Sequence, residues 1–242
     1  MRFLGSGDAF GSNGRLHTCF LVDGGETPFL IDCGASAMIS MRRFGVDPSS
    51  IPLIVLSHLH GDHFGGIPFV VLDGQLVSKR TEPLTIAGPP GCEARIHALM
   101  EAMFPGSAGA SRRFELSIVE LAIGERNELP GVTVTPREVI HPSGSPSTAL
   151  RCEYADRVIS YSGDTEWTDA LLPVAADADL FIAEGYFRDK KVPFHLDVDS
   201  LRENAARLGA RRTVLTHMSP DVLDHPDEVE YEMADDGVVL DV

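Results

Sequence analysis

The stretch Ser57-His58-Leu59-His60-Gly61-Asp62-His63-Phe64 sets three imidazoles and a carboxylate within six residues. Histidine nitrogens and carboxylate oxygens at that density suit a borderline divalent ion such as zinc. The apolar run Ile51-Pro52-Leu53-Ile54-Val55-Leu56 comes directly before and reads as a buried strand. Alternate side chains of an extended chain share a face, so His58 and His60 leave that strand pointing the same way. Gly61 permits a sharp backbone turn that carries Asp62 and His63 round to the same point. A histidine-rich polar loop is the plain alternative, and the strand behind the ligands weighs against it.

Three further donors stand where an apolar run stops. His141 follows Val139-Ile140, Asp164 follows Tyr161-Ser162-Gly163, and His217 follows Val214-Leu215-Thr216. Function gathers at strand ends in α/β architectures because the sheet fixes them while the loops stay open. Taken singly, His141 and His217 read as ordinary satisfied histidines, and Asp164 as a turn residue.

The elements that must position these groups can be read along the chain. Phe3-Leu4, His17–Val22 and Pro28–Ile31 read as strands separated by glycine-rich turns, and Ser36–Phe44 as a first helix stopped by Gly45. Phe64–Leu72 reads as a short helix or turn, and Leu84–Ala87 as a strand. Glu93–Phe104 is the clearest helix, with Ile96, Leu99, Met100 and Met103 on one face expected in the core and His97 off that face. The small, glycine-containing Pro105–Ser111 reads as a loop near the site. Phe114–Val119, Val132–Ile140, Ala149–Tyr154, Arg157–Tyr161, Leu180–Ala183 and Thr213–Thr216 read as strands. Leu201, Ala205 and Leu208 mark a last helix stopped by Gly209. The acidic stretch Glu228–Asp236 reads as solvated surface before a final strand at Val238–Leu240. The second half repeats the first in outline, so an αββα sandwich of two βαβ-like halves, forming one domain over residues 1–242, is expected.

Composition narrows the setting. No apolar run approaches the span of a bilayer, and Met1 leads into strand-like sequence, so neither a membrane helix nor a signal peptide is expected. Cys19, Cys33, Cys92 and Cys152 are dispersed, without a Cys-x-x-Cys pair, and read as free thiols of a cytoplasmic protein. The formal charge of −16 repels polyanions, and proteins that grip long nucleic acids usually carry a basic face. Nucleic acid is therefore expected to be an unlikely partner, and a small anionic molecule the expected substrate.

His-x-His-x-Asp-His behind a buried strand resembles the signature of the metallo-β-lactamase superfamily of metallohydrolases. Met1-Arg2-Phe3-Leu4-Gly5-Ser6-Gly7-Asp8-Ala9-Phe10 resembles the opening strand and turn of its ribonuclease Z and phosphodiesterase branch. Leu30-Ile31-Asp32-Cys33-Gly34 is similar to the strand end before that family's first helix, and the later pieces follow in the same order. The resemblance implies a metallo-β-lactamase-type αββα sandwich. It implies one metal on His58, His60 and His141 and a second on Asp62, His63 and His217, with Asp164 bridging. Two ions, zinc foremost with manganese or iron as alternatives, would activate a bridging hydroxide. Histidine at position 60, where redox-active diiron relatives usually carry glutamate, favours hydrolysis.

The resemblance also implies catalytic roles for Asp62, Glu184 and His195, the last two assisting proton transfer to the leaving group. A strand-end carboxylate and a histidine near a helix start are the plain reading of that pair. Asp32 is expected either to orient a ligand histidine or to cap the following helix. Arg188, Lys190 and Lys191 form a basic cluster that attracts an anion or is simply solvated. The chain has no long Gly- and Lys-rich insertion of the kind ribonuclease Z uses to hold tRNA, and Leu196-Asp197 follow His195 instead of the usual Ser-Thr. The expected activity is hydrolysis of a small phosphodiester. Lactone, carboxylic ester or thioester hydrolysis is the alternative enzyme reading, and a metal-binding regulatory protein the non-enzyme one. Substrate specificity is expected in the loops at Pro105–Arg113 and Ser143–Ser147, and a homodimer follows by analogy.

Overall fold

The apolar runs become the strands of two stacked sheets. The computed structural model describes residues 1–242. The first sheet holds β1 (Arg2–Gly5), β2 (Cys19–Val22), β3 (Phe29–Ile31), β4 (Leu53–Val55), β5 (Leu84–Gly88) and β6 (Leu116–Glu120), paired in chain order. The second holds β7 (Asn127–Leu129), β8 (Val132–Glu138), β9 (Thr148–Tyr154), β10 (Arg157–Tyr161), β11 (Leu180–Glu184), β12 (Thr213–Thr216) and β13 (Glu232–Met233), again in chain order. Each sheet begins antiparallel, through β3 and through β10, and continues parallel.

Burial explains why the strands read as continuous apolar runs. Phe29 and Ile31 of β3, with Leu53 and Val55 of β4, face the second sheet and pack with Leu150, Tyr161, Ile182 and Val214. Leu30 and Ile54, between them in sequence, face outward under helices. A strand covered on both faces has no position for a polar alternation. Outside the first sheet lie α1 (Ala37–Arg43), the single turn α2 (Gly61–Phe64), α3 (Ile67–Leu76) and α4 (Cys92–Met103). Outside the second lie α5 (Leu171–Ala175), α6 (Val198–Leu208) and α7 (Pro220–Leu223). The αββα sandwich is therefore the observed architecture. All four cysteines are buried and free, and no helix is long and apolar enough to cross a membrane.

Several expectations need correction. The expected turn at Gly61 is made without a positive φ: Gly61 opens the helical turn α2, with extended His60 before it. The loop at Asp32–Gly34 lies so close to that turn that a Cβ on Gly34 would meet the Asp62 carbonyl oxygen at 2.2 Å. Met103, in the last turn of α4, is 37% exposed rather than core. Val238–Leu240 forms no strand; the chain instead adds β13 beside β12, inside the stretch expected to be solvated. Asp236 in that stretch anchors the N-terminal segment, accepting from the Ser6 N–H at 2.9 Å and the Leu16 N–H at 2.7 Å. The loop after α4 folds back on Glu101, which accepts from the N–H groups of Gly106 and Ala108.

Candidate metal centre

The ends of β4, β8, β10, β11 and β12 converge at one edge of the sandwich, and each delivers part of the cluster. The donor atoms of His58, His60 and His141 lie within 4.8 Å of one another, as do those of Asp62, His63, Asp164 and His217. Asp164 stands between the two groups. Its Oδ2 is 3.4 Å from Nε2 of His63 and 3.3 Å from Nε2 of His217. It is 3.9 Å from Nε2 of His58 and 3.9 Å from Nε2 of His141. Gly163, at φ 61°, permits this position: a Cβ there would meet the Thr148 carbonyl oxygen at 2.6 Å.

In His58, His63 and His141 the nitrogen facing away from the cluster is held. Nδ1 of His58 lies 3.1 Å from the Ser57 hydroxyl, and Nδ1 of His63 lies 2.7 Å from Asp32. Nδ1 of His141 donates to the Phe194 carbonyl oxygen at 2.9 Å, whereas Nδ1 of His217 has no hydrogen-bond partner and lies 3.5 Å from the Glu184 carboxylate. Partners of this kind fix the tautomer and turn Nε2 into the cluster, where Nε2 of His141 lies 2.9 Å from Nδ1 of His60 and Nε2 of His217 lies 3.1 Å from Asp62. Asp32 also accepts from the Ser57 N–H and hydroxyl, each at 2.7 Å, and lies outside α1. It orients His63 and caps no helix. Asp32, Phe194 and His217 all adopt positive φ (57°, 70° and 56°), a conformation that costs non-glycine residues about 1–3 kcal/mol.

A metal fits these residues. Nε2 of His58, Nε2 of His63 and Oδ1 of Asp164 are buried without any hydrogen-bond partner. Burying such groups unpaired is costly, and a cation satisfies them all at once. Burial pushes the His58 pKa well below its usual value. Burial opposes charge on His63 and His217 as well, but the neighbouring carboxylates outweigh it and hold both above the usual value. The chemistry is that of a cation site.

Glu184 and His195 adjoin the cluster, with Asp164 and His217. Burial opposes the charged form of His195, and its hydrogen bond to Glu184 overrides this and raises its pKa. The basic cluster dissolves: Arg188 pairs with Asp221 at 3.2 Å and with Glu228, and Lys190 lies over the Phe187 ring. His97 joins no metal-ligand group. A cavity of about 330 Å³ over the cluster is lined by Phe10, Tyr186 and His195, among others. The Pro105–Arg113 and Ser143–Ser147 loops do not line it.

Sequence reasoning missed Ser57, Glu166, Phe194 and Tyr186. Ser57 stands directly before His58, so its adjacency was a usable signal. Glu166 accepts the Phe194 N–H at 2.9 Å, and Phe194 in turn holds His141; only tertiary structure brings these together.

These features define a metallohydrolase, and the chain belongs to the metallo-β-lactamase superfamily, with residues 27–218 matching its beta-lactamase superfamily domain. It is 26% identical to Ribonuclease Z of Methanosarcina mazei, over 90% of this chain and 86% of that protein. It is 28% identical to Ribonuclease Z of Haloferax volcanii, over 90% of this chain and 83% of that protein. Among solved structures, the human tRNase Z short form gives a TM-score of 0.79 at 23% identity, covering 99% of this chain and 98% of that one. The metallo-beta-lactamase fold protein YhfI of Bacillus subtilis gives 0.78 at 20% identity, covering 99% and 98%.

The relatives overturn the expectation that nucleic acid is an unlikely partner, since the two proteins of Methanosarcina mazei and Haloferax volcanii, matched over 90% of this chain, are ribonucleases by name. Net charge is a sum over the whole surface, whereas an RNA end needs favourable charge only at the site, where cations would supply it.

Proposed function

We propose that the chain is a dinuclear metal-dependent phosphodiesterase. One ion would be held by His58, His60 and His141, the other by Asp62, His63 and His217, with Asp164 shared. Two divalent ions there, zinc or manganese, would supply an activated water near neutral pH and offset charge developing on the phosphoryl oxygens.

The remaining work falls to the chain's own groups. Glu184 holds Nδ1 of His195 at 2.5 Å, so that Nε2 of the imidazolium faces the departing oxygen and gives it a proton. The Thr165 and Leu196 N–H groups donate to Oε2 of Glu184 at 2.9 and 3.2 Å, and keep the carboxylate from rotating. Tyr186 closes one wall of the cavity against His195, ring centroids 4.8 Å apart, and limits water beside the acid. The observation that carries the reading is this buried carboxylate–imidazole pair opening onto the donor cluster. An alkoxide needs such an acid, whereas a good acyl leaving group does not.

A small phosphodiester is the simplest substrate for a cavity of about 330 Å³. The relatives' names favour an RNA phosphodiester as a second reading, since only the scissile end must enter. Protein reconstituted with zinc or manganese should hydrolyse bis(p-nitrophenyl) phosphate, and an RNA with a 3′ extension serves as the second substrate. Turnover of lactones or thioesters with neither phosphodiester cleaved would reject the proposal.

A further inference from the structure

His195 lines a second hollow besides the cavity over the donor cluster. A groove of about 410 Å³ begins at this imidazole and runs along α6 between Trp167 and Lys191. A further groove, of about 470 Å³, shares Ala9, Gly61 and Asp62 with the central cavity, is lined by Leu99 and Met103, and does not include His195. The site is thus flanked by two hollows of different chemistry, and the acid belongs to only one of them.

That asymmetry assigns a direction. In a displacement at phosphorus the attacking and leaving oxygens lie on opposite sides of the reacting centre. The acid must come within about 2.6–3.2 Å of the leaving oxygen. An alcohol departing through that oxygen therefore extends past His195, into the Trp167–Lys191 groove. The lining there both donates and accepts. The Lys191 ammonium donates and lies 3.7 Å from the Glu203 carboxylate, which accepts. Glu166 keeps one carboxylate oxygen beyond the Phe194 N–H. Hydroxyl groups, each a donor and an acceptor, match such a wall, and Trp167 offers ring surface beside it.

We infer that this groove is the leaving-alcohol subsite and that it takes a polyhydroxylated ring alcohol, the ribose of a nucleoside or a free sugar. The inference rests on the phosphodiesterase reading for its direction, but its occupancy can be tested without turnover. Trp167 is the chain's only tryptophan, so emission excited at wavelengths that tyrosine does not absorb reports on this groove.

The metal-loaded protein is titrated with uridine, with glucose and with benzyl alcohol. Uridine or glucose should change Trp167 emission saturably, and should inhibit bis(p-nitrophenyl) phosphate hydrolysis with the same half-saturation. The tighter binder identifies the source of the alcohol, and benzyl alcohol should do neither. Lys191→Ala and Glu203→Ala alter side chains that are 66% and 65% exposed, so the fold is spared. Each should raise the half-saturation roughly tenfold, the loss expected for a hydrogen bond to a charged group. Inhibition without a fluorescence change, equal binding of benzyl alcohol, or unaltered half-saturation in both variants would overturn the subsite. Saturable polyol binding with no phosphodiester turnover overturns the leaving-group assignment together with the phosphodiesterase reading. Turnover without polyol binding overturns the subsite alone.

Discussion

Oε1 of Glu184 lies 2.5 Å from Nδ1 of His195 and 3.5 Å from Nδ1 of His217, so one buried carboxylate stands beside two imidazoles. With His195 as the proposed acid and His217 as a proposed ligand, removing His195 would touch only the proton, whereas altering Glu184 would touch the proton and a ligand together. His195→Ala should slow phosphodiesters with alkoxide leaving groups by about 10²–10⁴-fold and largely spare p-nitrophenyl esters, whose phenolate leaves unprotonated. Metal content should not change. Glu184→Gln should give a weaker form of the same leaving-group selectivity and also lower metal occupancy, because His217 loses the negative charge beside it. Rates across leaving groups, read beside elemental analysis, check both. Equal losses for both substrate types in His195→Ala would make His195 a structural residue.

Asp32 tests the support behind the ligands. It lies 2.7 Å from Nδ1 of His63 and accepts twice from Ser57, which itself faces Nδ1 of His58. One carboxylate therefore orients a ligand on each side of the cluster. Asn tolerates the positive φ at this position, so Asp32→Asn changes charge and hydrogen bonding without forcing the backbone. Metal affinity should fall by about 10–100-fold, measured by competition with a chromogenic chelator. Overlapping competition curves for variant and parent would dismiss the role.

The fold and the gathering of donors are legible in the sequence for one physical reason. Strands covered on both faces must be apolar throughout, so β4 and β12 read as runs that break off where the chain leaves the sheet, with His58 and His217 just beyond. Glu184 ends the apolar β11, Asp164 follows β10, and His141 follows the alternating β8. The groups that hold the ligands from afar are not legible. Phe194 reaches His141 across 53 positions, and nothing in an exposed phenylalanine announces a carbonyl acceptor. Asp236 looks like one more charge in an acidic run, yet it anchors Ser6 and Leu16 more than 200 positions away. The substrate is least legible. Net charge speaks for the whole surface, and the relatives show that it does not decide against RNA.

Asp179 offers a pH test outside the cluster. The residue precedes β11, and its Oδ2 accepts the Val158 N–H at 2.9 Å. Its Oδ1 lies 2.7 Å from Arg211 and 3.4 Å from Arg157. The backbone hydrogen bond, assisted by the two guanidinium groups, holds its pKa below the usual carboxylate value. An unfolded aspartate titrates near about 3.9, so the folded group keeps its charge to lower pH. Its contribution to stability is complete above the unfolded value, shrinks as pH falls towards the folded value, and is gone below it. Asp179→Asn should therefore melt at a lower temperature than the parent near neutral pH. The gap should close as pH falls from about 5 to 3. About 1 M salt, which shortens the Debye length to about 3 Å, should shrink the arginine share of the gap and leave the backbone share. Melting curves of the two proteins in parallel, with metal content matched, supply the measurement. A gap that stays constant across that pH range would mean that Asp179 titrates alike folded and unfolded, and that its hydrogen bond does not favour the charged form.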